Sequence, residues 1–320
     1  MCTAITFKTE HKEIFLGRTL DFSLPINPSL YIIPKHYQWY SSIDQKLYAD
    51  QYRFMAIGQE INLSLCFFEG VNEKGLALAA LYFEGYADFK ITTNPEEEIS
   101  TFDFVHCLLG SCSSITEIKE LLSEKRIIGL EDPITNTIAP LHWIAVDKNG
   151  NCVAIEQTSS GLEIIDNPIG VLTNSPNFSW HYTNLRNYMN LTTKQLEQST
   201  WNKVVLKPFS QGGGTSNLPG SFTSPERFVR AAFLKTHIET PKTSEDGLLR
   251  GFHILNNVFI PKGVVITPAG NEDYTKYVSM INTTTGEYYY KTYNNDQIMT
   301  ASLQDFPPDS SKAICLGPLF

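Results

Sequence analysis

The sequence predicts a layered α+β domain built on antiparallel sheets. Strand-like patterns come in blocks, over 1–90, 140–175 and 265–305, with helical patterns between and after them. That is the block order of an α+β domain, in contrast to the strict strand–helix alternation that builds parallel sheets. Short polar turns such as "EHK", "NEKG" and "KNGN" join consecutive strand patterns, as hairpins require. No repeat, low-complexity tract or Pro/Ser-rich linker divides the 320 residues, so a single domain over 1–320 with a large core is expected.

The elements follow in order. "TAITFKT" and "EIFLGRTLDF" alternate as two paired strands, and "LSLCFFEGVNEKGLALAALYF" reads as a second hairpin. In "SITEIKELLSEK", Ser114 and Glu117 form a capping box, and Ile115, Ile118, Leu121 and Leu122 line one helical face. "LHWIAVD", "CVAIEQT" and "LEIID" predict strands. "SPERFVRAAFLKTH" predicts a helix with Ser224 as N-cap and Pro225 at the first helical position. "DGLLRGFHILNNV" predicts another, and "YTKYVSMIN" and "EYYYKTY" are closing strands. The glycine-rich "SQGGGTSNLPGS" at 210–221 lacks both the lysine of a phosphate loop and GxGxxG spacing, so it reads as a mobile loop at the surface or beside a pocket.

Composition removes several function classes. A net charge of −9 supplies no basic face for nucleic acid. The longest apolar runs, such as "GLALAALYF", are about half of the ~20 residues a membrane-spanning helix needs. "MCTAITFKTEHKE" has no basic stretch followed by an apolar one, so no signal peptide is expected and the cytoplasm is the expected compartment. Cys2, Cys66, Cys107, Cys112, Cys152 and Cys315 form no CxxC pair, so neither a metal site nor a disulfide framework is expected. Five of the six read as buried small hydrophobes.

Cys2 is the exception. Directly behind the initiator methionine, it is either an incidental small strand residue or, after Met1 is removed, a residue carrying both a thiol and a free α-amine. A hairpin of the first two strands places Arg18 and Asp21 on the partner of the Cys2 strand, where they could face the N-terminus. A guanidinium near a thiol favours thiolate, and an aspartate near an α-amine can orient it. An arginine and an aspartate three apart are also ordinary surface residues, so this pairing alone leaves the question open.

Blocks along the whole chain add to it. "MCTAIT", "GRTLDF", "GVNEKGLALAALYFEGYADF" at 70–89, "LHWIAVD" at 141–147, "DNPIGVLTNSPNF" at 166–178, "LPGSFTSPERFVRAAF" at 218–233 and "EYYYKTYNNDQI" at 287–298 resemble, in order and spacing, the choloylglycine hydrolase family of N-terminal nucleophile hydrolases. That family contains bile salt hydrolases and penicillin V acylases. The resemblance implies a four-layer αββα sandwich, two antiparallel sheets between helical layers. It implies Cys2 as nucleophile, Arg18 and Asp21 as its neighbours, Asn174 of "LTNSP" and Arg227 of "PERF" as further catalytic residues. A position that is Asn in typical bile salt hydrolases and Tyr in penicillin V acylases falls on Tyr82. It also implies a bacterial homotetramer, with 190–209 lying where family members embrace a neighbour.

The chemistry is self-consistent. The Cys2 α-amine, with an ordinary value of about 7.7–8, suits a general base near neutral pH. Asn174 Nδ2 is the expected oxyanion donor, with Tyr82 as a second through backbone or hydroxyl. No metal or cofactor is called for, the partner is a small-molecule amide, and His142 reads as a satisfied core histidine. Tyr82 favours a penicillin V acylase; a conjugated bile salt hydrolase is the alternative, and a non-catalytic ligand-binding relative is the third reading.

Overall fold

The computed structural model describes residues 1–61, 64–90, 94–132, 135–307 and 311–320. In chain order, its principal strands are β1 (Cys2–Lys8), β2 (Ile14–Phe22), β3 (Ser29–Ile33), β4 (Phe54–Ile61), β5 (Ser64–Asn72), β6 (Ala77–Tyr82), β7 (Leu141–Val146), β8 (Cys152–Thr158), β9 (Gly161–Asp166), β10 (Val171–Leu172), β11 (Tyr274–Asn282), β12 (Glu287–Thr292), β13 (Asn295–Ser302) and β14 (Ile314–Pro318). They form a six-stranded sheet in the order β10-β1-β2-β11-β12-β13 and an eight-stranded sheet in the order β9-β8-β7-β6-β5-β4-β3-β14. Every neighbouring pair in both sheets is antiparallel.

Helices cover the outer faces. α1 (Phe104–Ser111) packs on β5 and β6, and α2 (Ile115–Glu124) joins it in one core with Trp143 and Ile155. On the other side, α4 (Ser224–His237) lies on β1 and β10, and α5 (Ser244–Asn256) on β2 and β11; α3 (Phe178–Asn184) precedes α4 in sequence and touches it. A second core, including Ala4, Leu16, Val71, Ala79 and Ile144, fills the space between the two sheets. This is the αββα sandwich, and the expected fold class holds. Each large apolar side chain buried in these layers contributes roughly 1.5–3 kcal/mol.

Most of the expected elements are present. The second hairpin lies on β5 and β6, apart from Leu63, which is outside the described residues. Two caps differ from expectation. Ser114 caps α2 by accepting from Glu117 N, but the Glu117 carboxylate turns to Ser113, taking its N–H at 2.6 Å and its hydroxyl at 2.7 Å. Ser224 is not the N-cap of α4: Thr223 holds that position, and the Ser224 hydroxyl is used elsewhere, at the candidate site. The cysteine expectation also needs correcting. Cys112 is buried and Cys66, Cys107 and Cys152 are half-buried, but Cys315 on the edge strand β14 is exposed. No helix among the described residues is long and apolar enough to cross a membrane.

Candidate active site

β1 and β2 build the centre of the site. Their register sets Cys2 opposite Leu20 and Ala4 opposite Arg18, so side chains two apart share a face. Cys2 and Arg18 point between the two sheets, where Arg18 Nη2 donates to Cys2 Sγ at 2.8 Å and Arg18 Nη1 lies 3.1 Å from Glu69 Oε2 on β5. Arg18 is 1% exposed, and its charge is held by the Cys2 sulfur and Glu69 against a large burial cost.

Asp21 points to the other face, towards α4. Its carboxylate accepts from Thr19 Oγ1 at 3.1 Å and Thr275 Oγ1 at 2.6 Å, and sits 4.0 Å from Arg227 Nη1. Burial pushes the Asp21 carboxyl up from its ordinary value, while Arg227 pulls it down. Arg227, in the first turn of α4, is fully buried and spends its donors on the site. Nη1 donates to the Cys2 carbonyl at 2.5 Å and to Thr3 Oγ1 at 2.6 Å, Nη2 to Asn174 Oδ1 at 2.6 Å, and Nε to the Phe222 carbonyl at 2.9 Å.

Asn174 closes the ring. Its Oδ1 accepts from Cys2 N at 2.9 Å as well as from Arg227, and its Nδ2 donates to the Tyr82 carbonyl at 2.8 Å. These partners fix which end of the amide is oxygen. One Nδ2 hydrogen remains for another acceptor. The Asn174 turn is clamped from behind: Ser224 Oγ accepts from Asn174 N at 2.9 Å, His181 Nε2 donates to the Asn174 carbonyl at 2.8 Å, and His142 Nε2 donates to the Thr173 carbonyl at 3.0 Å. His142 is also 3.0 Å from Glu156, so it is the satisfied core histidine expected, with a supporting task besides. Burial pulls the His181 imidazole down to about 4.

Thus the structure brings Cys2, Arg18, Asn174 and Arg227 into direct contact and joins Asp21 to them through Arg227. Asp21 and Tyr82 make contacts besides the ones expected of them, and these contacts leave their expected roles as expectations. With Met1 in place, the Asp21 carboxylate does not bond Cys2 N, which points to Asn174; it is the Asp21 backbone that bonds Met1, donating from N to the Met1 carbonyl and accepting from the Met1 amine. Tyr82 meets Asn174 through its carbonyl, which accepts from Asn174 Nδ2. Its ring lies 5.5 Å from that of Phe22, and burial pushes its hydroxyl up to about 12.

Two openings meet the site, one at Cys2 and one at Met1 and Asn174. One is an apolar cavity of about 100 Å³ lined by Leu20, Phe22, Ile26, Phe67, Tyr82 and Leu141 among others. The other, about 360 Å³, is of mixed character, with Ser23, Glu84, Thr267 and Asp273 as well as Phe22 and Tyr82 around Met1. The Met1 amine is 3.2 Å from Asp273 Oδ2. A larger groove of about 870 Å³ opens at the other end of β1, near Lys8, and contains none of these site residues. Size alone therefore does not locate the chemistry. Among the described residues no group of three or more His, Cys, Asp or Glu side chains is arranged to hold a metal ion.

Residues 2–315 match the model of the linear amide C–N hydrolases, choloylglycine hydrolase family. The chain belongs to the choloylglycine hydrolase family. Like the other members, it is an amidohydrolase, as its assembled cysteine site accords with. It is 35% identical to the bile salt hydrolase/transferase of Lactiplantibacillus plantarum, over 98% of this chain and 96% of that one. The crystal structure of variant R18L of the conjugated bile acid hydrolase from Clostridium perfringens superposes with a TM-score of 0.93 at 31% identity, covering 99% of this chain and 97% of that one. The penicillin V acylase of Pectobacterium atrosepticum is less similar, 25% identical over 78% of this chain and 66% of its own.

Glu69, His181 and Ser224 belong to the site's support and were not singled out as such from sequence. A signal for Glu69 exists: it is a lone charge in the apolar run "LCFFEGV", on a strand with both faces covered.

Proposed function

We propose that this amidohydrolase is a conjugated bile salt hydrolase that acts through Cys2 after removal of Met1. What carries this choice over a penicillin V acylase is the stronger likeness to the Lactiplantibacillus enzyme, along nearly the whole of both chains. It outweighs the acylase preference drawn from Tyr82 alone.

Removing Met1 turns the Cys2 N–H that faces Asn174 Oδ1 into a free amine at the same place. That amine takes the thiol proton, with Arg18 as the counter-charge at the sulfur. The thiolate adds to the amide carbonyl carbon, and charge gathers on the carbonyl oxygen. The spare Nδ2 hydrogen of Asn174 is the donor for that oxygen. The ammonium then gives its proton to the leaving nitrogen, the C–N bond breaks, and a thioester remains. Water, deprotonated by the same amine, adds to the thioester and releases the acid. Arg227 holds the Cys2 carbonyl and Asn174 in place throughout, with Asp21 behind it.

The apolar cavity takes the acyl side and the opening around Met1, which holds Glu84 and Asp273, the amine side. A cavity of about 100 Å³ is below the ~150 Å³ that encloses benzene, so it holds the reacting end of a steroid acid and the fused rings extend beyond it. We also propose a homo-oligomer: the hairpin of Ser199–Trp201 with Val204–Leu206 exposes Trp201, Val204 and Val205, with Phe209 just after them, and a second copy would cover this surface.

The test is steady-state hydrolysis of glycocholate, taurocholate and penicillin V by one preparation. The proposal expects a higher kcat/KM for a conjugated bile salt. A higher value for penicillin V would return the reading to an acylase.

A further inference from the structure

Glu69 is a carboxylate with no access to solvent, carried by β5 of the eight-stranded sheet, yet every partner its side chain shows lies on the six-stranded sheet. Oε2 lies 3.1 Å from Arg18 Nη1 on β2 and accepts from Tyr277 Oη on β11 at 3.2 Å. Oε1 accepts from Tyr288 Oη on β12 at 2.5 Å and from Ser279 Oγ on β11. Ser279 is the registered neighbour of Arg18 across the β2–β11 ladder, so the donors converge around the arginine.

A buried ion pair of this kind is a poor device for stability alone, because apolar side chains of similar volume fill such a space at no desolvation cost. Its geometry has another consequence. The guanidinium is a planar fork, so fixing Nη1 on Glu69 fixes where Nη2 points, and Nη2 points at Cys2 Sγ, 2.8 Å away. The three hydroxyls fix the carboxylate in turn, since both tyrosines are held protonated, their hydroxyls pushed well above the ordinary value by burial beside Glu69.

We propose that Glu69 is a positioning residue: it aims Arg18 at the Cys2 sulfur and balances its charge, with Tyr277, Ser279 and Tyr288 holding the carboxylate in register. This rests on Cys2 being the nucleophile, though not on which amide is the substrate. The groups facing Arg18 are Cys2, Glu69 and Tyr277; those facing Glu69 are Arg18, Tyr277, Ser279 and Tyr288.

The test compares wild type, Glu69→Gln, Arg18→Leu and the double variant. Two readouts are used: amide hydrolysis, and the pH profile of Cys2 alkylation by iodoacetamide located by peptide mapping. Glu69→Gln keeps the shape but leaves Arg18 with the thiolate as its only facing anion. The alkylation profile should therefore move to lower pH, while kcat falls on the order of 10–100-fold with KM changed by less than about threefold. In the Arg18→Leu background, Glu69→Gln should change neither readout, because its action passes through Arg18.

An unmoved profile, or losses that multiply in the double variant, would overturn the proposal. Should Glu69→Gln not fold, Glu69→Asp retains the charge while drawing the carboxylate back. It should give a smaller kcat loss that again vanishes without Arg18, and an equal loss in both backgrounds would count as refutation. If wild type hydrolyses no conjugated bile salt but the alkylation profile still moves through Arg18, the substrate assignment fails and the positioning role stands.

Discussion

At the scale of single residues, Cys2 is distinguished by its partners. Burial pushes the thiols of Cys66, Cys107 and Cys152 up to about 12 and that of Cys112 to about 11. At pH 8 a thiol titrating near 12 is thiolate about one part in ten thousand. Alkylation at that pH should therefore fall on Cys2 and on the exposed Cys315, and only the Cys2 adduct should track loss of activity; peptide mapping of partly inactivated protein checks this. Asn174→Ala should lower kcat by roughly 10²–10³ with a smaller change in KM, since its donor matters most once charge has developed on the oxygen. Tyr82→Asn removes a ring from the cavity beside Phe22, so kcat/KM for glycocholate relative to penicillin V should rise, by about tenfold at most. Cys2, Arg18 and Asn174 were legible in the sequence because their types and order carry a resemblance. The direction of each hydrogen bond was not, because which end of the Asn174 amide meets the Tyr82 carbonyl depends on how that strand meets the Asn174 turn.

At the scale of elements, the Asn174 turn is held by groups from α3, β7 and α4, and α3 supplies a pH dependence. His181 Nε2 donates to the Asn174 carbonyl, and the imidazole is pulled down to about 4, from about 6.5 in an unfolded chain. Between these values the unfolded chain binds the extra proton and the folded one does not, so stability is complete above about 6.5 and is lost as pH falls towards 4. The urea midpoint should drop across that window, and less steeply in His181→Gln. Strands pack as selectively. An added Cβ at Gly17 on β2 would lie 2.0 Å from the Met280 sulfur on β11, so Gly17→Ala should cost about 1–3 kcal/mol in equilibrium unfolding. The hairpin of β1 and β2 was readable from alternation alone. The displacement of Ser224 from its capping role was not: local pattern sees a serine before a proline, whereas the folded chain finds the Asn174 N–H in need of an acceptor.

At the scale of the whole molecule, block order was enough to indicate a layered α+β domain with antiparallel sheets, while two sheets between outer helical layers came only with the family resemblance. The order of strands within the sheets was not legible: β11 inserts beside β2 from more than 250 residues away in sequence, and the Thr275 hydroxyl it carries is what holds Asp21. The exposed Trp201–Phe209 surface belongs to this scale too. Replacing Trp201 and Phe209 with Glu should lower the mass found by light scattering behind a sizing column, while a mass already equal to one chain in wild type would remove the oligomer proposal. The proposed mechanism turns on Cys2 acting as nucleophile and, through its freed α-amine, as base. Rapid acid quench of wild-type protein during glycocholate turnover, followed by intact mass and peptide mapping, examines that directly. The expected species is a chain lacking Met1 and carrying a single cholic acyl group on Cys2. Active protein that retains Met1, or an acyl group on any other residue, would contradict that mechanism.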